Sequence, residues 1–171
     1  IAIAQFDEND PEVRTMILRG IQHFAGNPRE VKRFLNAFRL YAFLWGDKAR
    51  DPSSPLSLDL IMRWSVFMMK WPDVLRWIRR GPRLAGASAN GVPASGAQAQ
   101  SETQRAQVVD RLALLEQAGA AYATLDGWTT ALKAAQVPEK TRWLQDEELF
   151  EFFRESRGDT SLSAGVGHGL W

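Results

Sequence analysis

The 171-residue sequence predicts an all-α protein, and three observations carry that prediction. Apolar residues recur every three or four positions through most of the chain, strict alternation is scarce, and β-branched residues are few. Helix-opening signals also recur just ahead of the periodic stretches. A helical bundle over residues 1–83 and a smaller C-terminal helical part over 102–157 are therefore expected. Residues 84–101 read as a flexible Ala/Gly/Ser linker between them, and 158–171 as a loose tail.

Asp10-Pro11-Glu12 opens the first helix, with Pro in the first turn and acids at the positive end of the dipole. Val13, Ile17, Leu18, Ile21 and Phe24 give it one apolar face over about residues 11–25. Asn27-Pro28-Arg29-Glu30 opens the second: Asn27 suits the cap, Pro28 the first turn, and Glu30 the third position after the cap. Val31, Phe34, Leu35, Phe38, Tyr41, Ala42 and Trp45 form its apolar stripe, and Gly46-Asp47 is its expected end. After the loop Asp51–Pro55, a third helix over about 57–70 is apolar nearly all round and should lie buried at the centre. Pro72 stops it and opens a short helix closed by Gly81-Pro82.

Residues 84–100 carry no charge, so little in them can build a core. Beyond them, Val108, Leu112 and Leu115 mark a helix over about 102–118, and Trp128 with Leu132 another near 128–135. Pro138 opens a short turn bearing Trp143 and Leu144. Asp146 then caps a last helix in which Leu149, Phe150, Phe152 and Phe153 are interleaved with Glu147, Glu148 and Glu151. From Gly158 onward the composition is rich in Gly and Ser.

Composition excludes several kinds of chemistry. There is no Cys, so no disulfide frame, thiol nucleophile or Cys-bound zinc, and the absence fits a cytoplasmic protein. His23 and His168 lie far apart and do not form a metal pair; His23, among apolar residues, reads as a packing histidine. No phosphate-cradling G-x-x-x-x-G-K-[ST], no G-x-G-x-x-G and no G-x-S-x-G is present. The acids Asp146, Glu147, Glu148 and Glu151 read as a capped first turn with its solvated face. The net charge of +1 conceals an asymmetry: residues 1–100 hold 14 Lys/Arg against 9 Asp/Glu, or +5, and residues 101–171 hold 7 against 11, or −4. That imbalance is too small for a surface that coats DNA, but an anion could meet the first part. No apolar run is long enough for a bilayer span. The start at Ile1 suggests a piece of a longer protein.

One constellation stands apart. Gly26-Asn27-Pro28-Arg29-Glu30-Val31-Lys32-Arg33-Phe34-Leu35-Asn36 puts a guanidinium in the first turn of a capped helix, where a phosphate would meet a donor fork and the helix dipole together. Lys32, Arg33 and Asn36 extend the polar side of that helix, which by itself is also what a capped helix with a solvated basic face looks like.

The run from Asn27 to Asn36, followed by Phe38-Arg39-Leu40, resembles the N-P-R-x-[IV]-K-R-[FLV]-[LIV]-N segment near the end of the ATPase module in KAP-family P-loop NTPases. Arg63-Trp64 through Lys70-Trp71-Pro72-Asp73-Val74-Leu75 is similar to that family's next helices, and Trp143–Leu149 with Phe152-Phe153, more distantly, to its closing portion. The likeness covers about residues 9–80 and 138–156. It implies the helical lid of an AAA+/STAND-like ATPase, in which Arg29 senses the terminal phosphates of ATP and Lys32, Arg33 and Asn36 form a supporting basic face. It also implies ATP and Mg bound by the parent protein and not by this piece, because the P-loop, the Mg-binding acids and the α/β core lie outside the chain. The implied partner is the parent's own upstream NTPase core, with a homo-oligomer or another protein beyond it. The alternative is an all-α interaction or scaffold module without nucleotide chemistry.

Overall fold

A computed structural model describes residues 9–24, 26–49, 51–80, 96–138, 141–156 and 160–170. Among them are eight α-helices, one 3₁₀ turn and no strand: α1 (Pro11–Gln22), α2 (Pro28–Ala49), α3 (Leu58–Lys70), α4 (Pro72–Arg79), α5 (Gly96–Ala121), α6 (Leu125–Ala134), the turn Arg142–Gln145, α7 (Glu147–Arg154) and α8 (Leu162–Gly167). The all-α expectation holds.

Most helix starts are set by local hydrogen bonds. Asp10 accepts from the Glu12 amide at 2.9 Å ahead of α1, Ser57 from Leu60 at 3.1 Å ahead of α3, and Asp146 from Leu149 at 3.1 Å ahead of α7. Helix α6 closes with Gln136 in the left-handed region (φ 66°), its amide bonding to Lys133 O and that of Val137 to Leu132 O. The buried Val137 side chain completes that closure.

α3 is the centre. Nine of its thirteen residues, Leu58 and Leu60 through Phe67, are buried. The Phe67 ring meets Trp64, Trp71, Phe152 and Phe153 at centroid distances of 5.9, 6.4, 6.1 and 5.7 Å. Arg63, also buried, lies 4.3 Å over the Phe152 ring and donates to the Phe152 carbonyl at 2.5 Å, which ties α3 to the end of α7. Gly20 lets α1 close on α2, for the Phe34 ring occupies the space a Cβ would need.

Three expectations change. Helix α2 runs through Gly46 to Ala49; an interior Gly costs about 1 kcal/mol, and Trp45 and Ala49, packed against the core, offset it. Most of the expected linker, 84–95, lies outside the described residues, but 96–101 belong to the start of α5. The tail is not loose over 160–170: Leu162, Val166 and Leu170 are fully buried, with α8 packed on α5 and α3. Gly165 permits this, because a Cβ there would stand 2.6 Å from a Leu60 methyl. The helices on either side of 84–95 consequently share one hydrophobic core.

Candidate functional site

The corner where α1 gives way to α2 carries the residues singled out by sequence. Gly26, at φ +93°, turns the chain, and the Asn27 side-chain oxygen accepts from the Arg29 and Glu30 amides at 3.2 and 3.4 Å. Arg29 therefore stands in the first turn of a capped 22-residue helix. Its side chain is exposed and makes no ion pair with any described residue.

The helix splits the four basic and polar candidates between two sides. Arg29, Arg33 and Asn36 follow one another at four and three residues and share an outward line, all exposed. Lys32 turns instead toward a groove of about 380 Å³ between the end of α1 and the start of α2, lined by Ile21, Phe24, Pro28, Val31 and Leu35. Arg33 is engaged locally, 3.4 Å from Glu30. Arg29 and Lys32 are thus the two cations at this helix end that pair with no carboxylate among the described residues, Arg29 on the outward line and Lys32 beside the groove.

Farther along α2, the outward line becomes apolar. Leu40, Phe43 and Leu44 are 56, 58 and 55% exposed, a contiguous i, i+3, i+4 set on a helix whose opposite side (Phe34, Phe38, Ala42) is buried.

The other residues raised by sequence have structural places. Asp146 caps α7 and accepts from the Trp71 indole at 2.9 Å; Glu148 pairs with Lys70 at 2.5 Å and Glu151 with Arg154 at 3.1 Å. His23 is half-buried, edge-on to Phe152, with its carbonyl accepting from Lys70 at 2.9 Å. Burial, then the Lys70 and Arg63 charges, hold its pKa below the ordinary 6.5 against the opposing pull of Glu155 and Glu148. Among the described residues no three His, Asp or Glu side chains gather in a way that could hold a metal, and no helix is long and apolar enough to cross a membrane.

Glu116 is a residue that sequence gives no reason to select. Buried on α5, its carboxylate accepts from Ser156 Oγ (2.9 Å), the Leu162 amide (2.5 Å), Ser161 Oγ (2.9 Å) and Ser163 Oγ (2.5 Å). Four donors satisfy the desolvated charge, and three of them sit at the start of α8, so this carboxylate fastens α8 to α5. No family model, curated protein or solved structure matches the chain.

Proposed function

We propose that the chain is the helical lid of a KAP-like P-loop ATPase, reading the nucleotide's phosphates through Arg29. The observation that carries the reading is the state of Arg29: exposed, without a described carboxylate partner, and pointing from the positive end of a helix anchored in the core by Phe34 and Phe38. A guanidinium held this way responds to a phosphate without local refolding, and the anchored helix transmits the response to the bundle. ATP and Mg would be held by the parent's own core, with Arg29 stabilising charge on the transferring phosphoryl group or reporting its presence.

The test is made in the parent polypeptide. Arg29→Ala should lower ATP turnover or abolish nucleotide-driven movement while the helical content stays unchanged. Arg29→Lys should restore part of it, because a point charge lacks the planar fork. Unaltered parental turnover in Arg29→Ala would overturn the reading.

A second reading has its own support. The exposed Leu40, Phe43 and Leu44 are an unpartnered apolar set of the kind that docks another protein surface, which favours an interaction module. Serine at Phe43 and Leu44 separates the two: loss of a partner with ATP turnover intact would favour the interaction module.

A further inference from the structure

A cleft on another part of the molecule joins α4 to the 3₁₀ turn. Two adjoining hollows, of about 260 and 220 Å³, share Asp73, Arg142 and Trp143 in their walls. Their floor is aromatic: Trp77 and Trp143 meet at 5.3 Å between ring centroids. Trp77 is held from behind by Arg111, which lies 4.8 Å over its ring and donates to the Trp77 and Arg80 carbonyls. The floor is therefore fixed before any ligand arrives.

Charges around the cleft are mostly spent on one another. Arg76 pairs with Asp73 at 2.8 Å, Lys70 with Glu148, and Asp146 accepts from the Trp71 indole. Two guanidiniums remain. Arg80, at the end of α4, and Arg142, at the start of the 3₁₀ turn, are exposed and make no ion pair or side-chain hydrogen bond with any described residue. Both line the same hollow beside Trp77 and Trp143.

We propose that this cleft binds an acidic peptide segment, with carboxylates on Arg80 and Arg142 and an apolar or aromatic side chain against Trp77 and Trp143. Size and sign of charge select that occupant. Each hollow is smaller than the space a drug-sized ligand fills, and suits one or two side chains. A nucleic-acid strand carries a charge at every residue and would set phosphates against Asp73 and Asp146, whereas a peptide can place its few carboxylates on Arg80 and Arg142 and pass neutral backbone by the two aspartates. Planar guanidiniums take carboxylates bidentately, and an aromatic floor beside an arginine is a common anchor at protein interfaces. The site is independent of Arg29, which lies at the other helix corner described above.

The experiment is a selection of random twelve-residue peptides, displayed on phage, against the full 171-residue chain. Enriched sequences should combine Asp or Glu with aromatic or aliphatic residues. A synthetic peptide of the enriched sequence should shift the indole N–H signals of Trp77 and Trp143 in solution NMR. The pair Arg80→Gln and Arg142→Gln should weaken its binding by about tenfold or more with unchanged far-ultraviolet circular dichroism, and Arg142→Gln alone by a smaller factor. Arg29→Gln should leave it unchanged. The proposal is overturned if selection yields no acidic preference, if the double variant binds within about twofold of the parent chain, or if an oligothymidylate or inorganic phosphate binds the two arginines more tightly than the peptide does.

Discussion

Helices α3 and α2 are neighbours with opposite designs. α3 spends thirteen residues to bury nine, while α2 spends twenty-two and buries three, Phe34, Phe38 and Ala42. A helix buried over most of its length keeps little surface for a ligand, so α3 chiefly holds the molecule together. A helix buried along one stripe keeps the rest of its circumference for other work, and α2 presents a cation at its start and bare hydrophobic side chains toward its end. Stability and recognition are thus assigned to different helices, and that division can be tested.

The strongest challenge to α3 as the common centre is to remove half of what covers it. A chain of residues 1–83 loses Phe152 and Phe153 from the Phe67 and Trp71 rings and α8 from Leu60. It should melt without a cooperative transition in circular dichroism; a sharp melt would show that the first four helices stand alone. Single substitutions grade the comparison more finely. Phe67→Ala, with four aromatic partners, should fall at the upper end of about 3–5 kcal/mol in chemical denaturation. Phe34→Ala, with Phe24 at 5.4 Å and Phe38 at 6.0 Å, belongs at the lower end of about 3–5 kcal/mol.

A smaller effect depends on pH. Because burial depresses the His23 pKa below 6.5, folding favours the neutral ring. Its contribution is complete above about 6.5 and is lost as pH falls toward the depressed native value. His23→Gln should flatten the decline of stability below that pH, compared by denaturation at successive pH values. The smallest effects belong to the outward line of α2. Arg29→Ala and Phe43→Ser should each move stability by less than about 0.5 kcal/mol, and a much larger loss would mean that this face is structural after all.

The contrast also explains what sequence could reveal. The caps at Asp10, Asn27 and Asp146 and the stop at Pro72 are legible because a cap is a bond between residues two or three apart. The buried character of α3 is legible because apolar residues occupy its whole circumference. The first turn and a half of α5 and the whole of α8 are not, since Ala, Gly and Ser there carry no periodic signal. α8 gains its order from distant partners, Glu116 and Leu60 among them. Arg29 is legible as an exposed residue at a capped end, whereas the shared basic face expected for Lys32 is not what forms, since Lys32 lies beside the groove with Pro28, Val31 and Leu35. Arg80 and Arg142 come together only because α4 and the 3₁₀ turn meet in space, which no local pattern records.

The fastening of α8 by Glu116 bears on how the protein is made. During synthesis α3 is complete roughly a hundred residues before Leu162, Val166 and Leu170 emerge, an interval on the order of 5–20 seconds at ordinary elongation rates. Throughout that time the Leu60 side of the central helix lacks its final cover. Until α8 has left the ribosome, that apolar surface is covered by provisional contacts at best, and the native packing around Leu60 forms only after it.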